Sequence, residues 1–167
     1  TTLSVYRVSS SCGDSDPTAP FQPADTRDAS KAWVCERING LDGNVLNIVF
    51  GRTVVITGIT IVPGFDYVAP DGRDEWDQHR LVTGVTWRMA NQMFPQQITP
   101  SRSGVTMKFD AVITSQMSMT ITASERPRGG VRPGSGIGTL NNTDDSVDAT
   151  TAVSRIIITG YPLDPGR

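Results

Sequence analysis

The sequence predicts an all-β fold, a sandwich or a barrel, with a strand spacing compatible with a jelly roll. Short segments of alternating apolar and polar residues recur along the chain, and this period of two is typical of strands packed on a core. Turn residues separate the segments, and the 167 residues include sixteen Gly and eleven Pro. No long run of helix-forming residues interrupts the pattern.

The strongest strand pattern runs from Asn44 to Tyr67. Its first half alternates at Leu46, Ile48 and Phe50, and β-branched residues dominate its second half. Because Gly51 interrupts the pattern between the halves, the stretch predicts two adjacent strands.

The remaining strands are shorter. They are predicted at residues 3–8, 32–35, 81–89, 105–109, 117–121 and 153–158. Alternation places Trp87, Met117 and Met119 on core-facing sides, and Trp33 is expected in the core as well. The segments at 13–31 and around Pro95 and Pro100 are expected to be loops.

We expect residues 1–167 to form a single domain with one long flexible loop at about 124–152. That segment is rich in glycine and nearly devoid of large apolar side chains.

The formal net charge of −2 gives no electrostatic reason to expect nucleic acid as a partner. No run approaches the roughly 18 to 20 apolar residues of a transmembrane helix, so no membrane span is predicted within the chain. Since position 1 is Thr, we expect the chain to be a segment of a longer protein. We expect the membrane anchor of that protein to lie outside this chain.

The two cysteines, Cys12 and Cys35, form no CxxC pair, and a single histidine cannot complete a zinc site with them. They are either two unrelated buried thiols or a disulfide. The polar, proline-rich stretch between them has little else to hold it, which favours the disulfide. A disulfide in turn predicts an oxidising, extracytoplasmic compartment.

Residues 65–80 are dense in aromatic and charged side chains. A pyranose has an apolar face and a polar rim, so aromatic rings can stack on it while charged groups bond its hydroxyls. The alternative is a solvated loop with ordinary surface ion pairs and a Trp packed beneath it. The predicted ligand-binding residues are Tyr67, Arg73, Trp76, Asp77, His79 and Arg80.

Other chemistries have weaker support. Acidic residues at 71–77 lack the order of a calcium-binding EF-hand loop, so no metal is predicted. The sequence has no Gly-x-Ser-x-Gly motif whose serine His79 could activate as a nucleophile, and no pair of carboxylates stands out as a glycosidase pair. We therefore expect no enzymatic activity and no cofactor.

Several motifs follow one another along the chain: Asp28 with Ala32-Trp33, Leu46-x-Ile48-x-Phe50, Ile59-x-Ile61-Val62-Pro63-Gly64, Asp77-x-x-Arg80 and Ala152-Val153-Ser154-Arg155-Ile156. In this order they resemble the discoidin-like (F5/8 type C, galactose-binding-like) domains, especially those in extracytoplasmic parts of actinobacterial envelope proteins. Arg155 departs from the acidic residue usual in the late strand. The early acidic loop is also reduced, which argues against the structural calcium often found in that fold.

The resemblance implies a jelly-roll sandwich without catalysis that binds glycans or lipid head groups through loops at one end. We therefore expect a non-catalytic, extracytoplasmic module that recognises cell-wall carbohydrate or glycolipid. The alternative is a protein–protein interaction or structural domain within an envelope assembly.

Overall fold

The structure, a computed structural model, describes residues 1–13, 15–127 and 146–163. Within these ranges the chain forms strands and three short 3-10 helices, at Ala19–Phe21, Ala24–Thr26 and Glu75–Gln78. The strands are β1 (Arg7–Ser10), β2 (Trp33–Glu36), β3 (Val45–Val62), β4 (Leu81–Met89), β5 (Gln92–Gln97), β6 (Val105–Glu125), β7 (Thr150–Val153) and β8 (Arg155–Pro162). The predicted all-β class is confirmed.

The long strand β3 lies at the centre of the main sheet. β6 pairs with it along one edge, while β1 covers the first half of the other edge and β8 covers the second half. β4 and then β5 extend the sheet beyond β6, and every pairing is antiparallel. β2 and β7 form a separate two-stranded sheet. The two sheets belong to a jelly-roll β-sandwich with one shared core.

β3 is one continuous strand of 18 residues where the sequence predicted two. Its register against β6 shifts between Val49 and Val54, and Gly51 within this interval has φ +77°. The glycine therefore marks a bulge that bends the strand without reversing it. The two predicted segments at 105–109 and 117–121 are likewise one strand, β6, which bends at Ala111 (φ +53°).

The sequence predicts a loop around Pro95, whereas the structure has the strand β5 there. β5 is an edge strand, so the N–H that proline lacks is not needed on the open side. The turn before it consists of Ala90 and Asn91, both with positive φ. Two such residues form the tight hairpin turn usually made by Asn-Gly, so the sequence carried an atypical turn signal.

The boundaries of the predicted 124–152 loop also differ from the structure. Ser124 and Glu125 belong to β6, and β7 begins at Thr150. The part of the predicted loop at residues 128–145 lies outside the described residues.

The core contains the residues that alternation predicted. Trp33 and Trp87 are fully buried, and Met117 and Met119 pack in the same cluster. The indole N–H of Trp87 donates a 2.8 Å hydrogen bond to Gln96 Oε1, so its polar group is satisfied within the core.

The predicted disulfide between Cys12 and Cys35 is confirmed, with a Cα–Cα distance of 5.6 Å. Cys35 is fully buried on β2. The cross-link therefore attaches the end of the N-terminal segment to the core across a sequence separation of 23 residues.

We expect reduction of this disulfide to lower the free energy of unfolding by about 3 kcal/mol, because it releases a loop of this length in the unfolded chain. Urea unfolding of the oxidised and reduced wild-type protein measures the loss without removing either sulfur. The variant Cys12→Ala/Cys35→Ala should show at least the same loss. Equal stability of the oxidised and reduced forms would contradict the prediction.

Candidate functional site

Two loops meet at one end of the sandwich. Residues 63–80 connect β3 to β4, and residues 98–104 connect β5 to β6. Ser154, between β7 and β8, fixes the first loop, since its buried hydroxyl accepts a 2.7 Å hydrogen bond from the amide of Asp66. Its own amide donates to the carbonyl of Gly64 at 2.9 Å.

The loop at 63–80 is folded by its own turn residues. Asp71 Oδ1 accepts a hydrogen bond from the amide of Arg73, and Gly72 has φ +90°, as expected for the predicted Asp71-Gly72 turn. Asp74 then caps the short 3-10 helix Glu75–Gln78, because its Oδ1 accepts a 3.1 Å bond from the amide of Trp76.

Arg102, which was not among the predicted ligand-binding residues, joins the two loops. Its guanidinium donates to Asp74 Oδ2 at 2.5 Å and to Asp66 Oδ1 at 3.1 Å. The guanidinium carbon also lies 4.8 Å from the centre of the Trp76 ring, which is within cation–π range. The hydrogen bonds from Arg102 lower the pKa of Asp74, and those to Asp74 and Asp66 raise the pKa of Arg102. A lone arginine in a loop gives no sequence signal for such a contact.

A cleft of about 570 Å³ opens between the two loops. We call it the end cleft; it is lined by Trp76, Asp77, Leu81, Thr99, Pro100, Arg102 and Glu125. It combines an aromatic ring with carboxylates, a guanidinium and a hydroxyl. That mixture can contact the apolar face of a sugar and bond its hydroxyls.

Trp76 is held in place by a close approach to Gly64. A Cβ built on Gly64 would lie 2.8 Å from Cζ3 of Trp76 and 2.7 Å from Cδ2 of Leu81. Any larger residue at position 64 would therefore displace the Trp76 ring or the Leu81 side chain, both of which line the end cleft.

Among the six predicted ligand-binding residues, Trp76 and Asp77 line the end cleft together. Tyr67 and Arg73 lie on the same loop outside this lining. The Tyr67 ring packs near Phe65, with a centroid distance of 6.2 Å, and Arg73 forms a 3.1 Å ion pair with Glu75.

His79 is engaged with side chains within the fold. Its Nδ1 lies 2.6 Å from Thr150 Oγ1, its Nε2 lies 3.2 Å from Glu75 Oε1, and its ring stacks on Phe65. Burial lowers the pKa of His79, although the neighbouring Glu75 opposes this effect.

Arg80 connects three parts of the chain. It donates to the hydroxyl and the carbonyl oxygen of Ser124 at 2.8 and 2.6 Å, and to Asp148 Oδ1 at 2.8 Å. The Ser124 hydroxyl in turn bonds the carboxylate of Asp42. Arg80 therefore ties the start of β4 to the end of β6 and to the segment before β7.

Within residues 1–13, 15–127 and 146–163, no group of three or more His, Cys, Asp or Glu side chains is arranged to hold a metal ion. No helix in the described part of the chain is long and apolar enough to cross a membrane.

The Asp148 carboxylate gives the fold an acid-sensitive contact. Hydrogen bonds lower the pKa of Asp148 from 3.8 to about 2, with the larger effect from Arg126 and the smaller one from Arg80. Its ionised form therefore stabilises the folded state above about pH 4, and this contribution is lost as the pH falls toward 2.

We expect Asp148→Asn to be less stable than wild type at pH 6, with a difference that shrinks between pH 4 and pH 2. Urea midpoints measured at each pH test this. Asp110→Asn, which removes an exposed carboxylate elsewhere, should show the same change of urea midpoint with pH as wild type. A stability difference for Asp148→Asn that is the same at pH 6 and pH 2 would show that the ion pairs do not link folding to pH.

Neither a family sequence model nor a curated protein sequence matches the chain. Solved structures match its fold at low sequence identity. The CBM32 module of AlyQ, in complex with 4,5-unsaturated mannuronic acid, is 9% identical with a TM-score of 0.59, and the match covers 95% of this chain and 98% of that one.

Two further structures agree. The family 32 carbohydrate-binding module of NanJ from C. perfringens, in complex with galactose, is 12% identical over 91% of both chains, with a TM-score of 0.52. Chitosan-binding module 1 from a Paenibacillus sp. IK-5 chitosanase/glucanase is 11% identical, with a TM-score of 0.56, over 95% of this chain and 96% of that one. The chain therefore has the galactose-binding-like, discoidin-like fold of these modules, as its sequence motifs predicted.

Proposed function

We propose that the protein is a non-catalytic carbohydrate-binding module whose site is the end cleft. The observation that carries this proposal is the placement of Trp76 beside hydrogen-bonding side chains in a cleft of about 570 Å³. The ligands of the structural neighbours, which include galactose and an unsaturated mannuronic acid, support a saccharide as the ligand class.

Each lining residue has a chemical role in this proposal. The exposed part of the Trp76 ring contacts the apolar face of a pyranose. The carboxylates of Asp77 and Glu125 accept hydrogen bonds from its hydroxyls, while Arg102 and Thr99 donate to them. Arg102 is already oriented by Asp66 and Asp74, so binding need not order it.

The other predicted residues have different roles. His79 and Arg80 hold the loop through Thr150, Ser124 and Asp148 rather than contacting the ligand. Tyr67 and Arg73 lie outside the lining and contribute at most to its rim. We therefore assign the contact role to Trp76 and Asp77, with Arg102 added.

We further propose an extracytoplasmic location, with cell-wall carbohydrate or glycolipid as the ligand and a membrane-anchored protein as the parent. The Cys12–Cys35 disulfide supports the location, because such cross-links persist in oxidising compartments.

We expect Trp76→Ala to weaken binding of a cell-wall saccharide by about 30-fold, since loss of a central aromatic contact typically costs about 2 kcal/mol of binding free energy. Calorimetric titration with arabinan, galactan and peptidoglycan fragments measures this. Tyr6→Ala removes an aromatic side chain that is 71% exposed and lies outside the end cleft, so it should bind as wild type does.

A second variant separates binding from loop packing, because Trp76 also contacts Gly64. Thr99→Phe adds bulk at the exposed wall of the end cleft and leaves the Trp76 contacts in place. It should block binding with an unchanged melting temperature. If no fragment binds the wild-type protein, the carbohydrate proposal fails and the protein-docking alternative takes its place.

A further inference from the structure

A second, smaller cleft lies beside the end cleft. We call it the arginine cleft; it measures about 130 Å³ and is lined by Arg27, Thr60, Val62, Asp66, Arg102, Ser103, Arg155 and Ile157. Its floor is the side of the sheet that faces away from the core. Thr60 pairs with Ile157 across β3 and β8, and these residues alternate with the buried Ile59 and Ile61.

Three arginines line this cleft together with a single carboxylate, that of Asp66. Arg102 is neutralised by its ion pairs with Asp66 and Asp74. Neither Arg27 nor Arg155 forms an ion pair within the described ranges. Two positive charges therefore line a small concave space without a carboxylate bonded to either.

Arg27 is held in an environment that disfavours its charge. Its Nε is buried and makes no hydrogen bond to any described residue, while its Nη2 makes a long, 3.4 Å bond to the carbonyl of Ser154. Burial lowers the pKa of Arg27 and the positive charge of Arg155 lowers it further, while the negative charge of Asp66 opposes both effects. An anion between the two guanidinium groups would offset this repulsion.

We infer that the arginine cleft binds an oxyanion substituent, a carboxylate or a sulfate group, carried by an acidic saccharide. Guanidinium groups suit both anions, because each presents paired N–H donors to two oxygens. The volume corresponds to roughly four water molecules, which suits such a group better than a whole sugar ring. Ser103 and Thr60 add hydroxyl groups to the lining.

Arg102 lines both clefts, so a saccharide in the end cleft places its substituents beside the arginine cleft. The identification of the carrier as a saccharide rests on the proposed function, whereas the affinity for the oxyanion rests on Arg27 and Arg155. The two clefts together favour acidic glycans over neutral ones.

Matched ligands test the inference with the full chain at constant ionic strength. Oligogalacturonate is compared with its methyl ester, and dextran sulfate oligosaccharide with dextran, so that each pair differs chiefly in charge. We expect one charged ligand to bind at least about tenfold more tightly than its neutral match, as expected for charge-assisted hydrogen bonds. Which pair shows the preference identifies carboxylate or sulfate.

Variants of the two arginines locate the effect. Arg155→Gln and Arg27→Gln should each remove most of the charge preference, and Arg27→Lys should retain part of it. Arg52→Gln, which removes an exposed positive charge outside both clefts, should leave the preference intact. Melting temperatures identify any loss caused by unfolding, and Arg155→Gln removes no hydrogen bond formed within the described part of the chain.

The outcomes separate this inference from the proposed function. If the wild-type protein binds charged and neutral ligands equally and Trp76→Ala loses this binding, the inference about the arginine cleft is overturned and the proposed function stands. A preference for charged ligands that persists in both Arg155→Gln and Arg27→Gln also overturns the inference about the arginine cleft. Charged ligands whose binding needs Arg155 but not Trp76 support the arginine cleft and overturn the end cleft. Absence of binding by every ligand overturns both.

Discussion

The antiparallel pairing of β3 with β6 is the constraint on which the rest of the structure depends. β1 and β8 share the free edge of β3, and β4 continues the sheet from β6, so all six strands of the main sheet are placed by this pair. The pairing also builds the candidate site. Ile61, near the end of β3, lies opposite Val105 at the start of β6. Residues just after β3 and just before β6 are therefore neighbours, which explains why Asp66 and Arg102 meet although 36 residues separate them.

Alternation predicted well what depends on local pattern and burial. β4 was predicted at residues 81–89 and is observed there, and Trp33 and Trp87 are buried as expected. Alternation cannot distinguish a bulge from a reversal, because both interrupt the period of two at a glycine. The interruption at Gly51 therefore predicts two strands, although the partner strand β6 continues past it. The decisive information lies in the partner strand, and a single segment does not contain it.

The same limit applies to the loop at 63–80. Its composition indicated a polar, aromatic surface, but charged side chains in a loop can face a ligand or the protein itself. Arg80 donates hydrogen bonds to Ser124 and Asp148, which are 44 and 68 residues away, whereas Trp76 lines the end cleft. Sequence spacing cannot assign these roles, since each depends on which distant strand ends beside the loop. The sequence does not indicate the role of Arg102 for the same reason.

Arg102 lines both clefts, and its ion pairs affect what each cleft would contribute to ligand binding. Its ion pairs with Asp66 and Asp74 orient the guanidinium before any ligand arrives, which reduces the ordering cost of binding. They also cancel most of its charge, so Arg102 can donate hydrogen bonds to either kind of ligand but discriminates weakly between neutral and anionic ones. In the proposed site, discrimination by charge would then come from Arg27 and Arg155, neither of which forms an ion pair with a described residue, although Asp66 partly offsets the charge of Arg27. In the proposed site, the aromatic contact at Trp76 and the charge selection at the arginine cleft would therefore be separable properties, because Arg102, which lines both clefts, orients hydrogen bonds but adds little net charge.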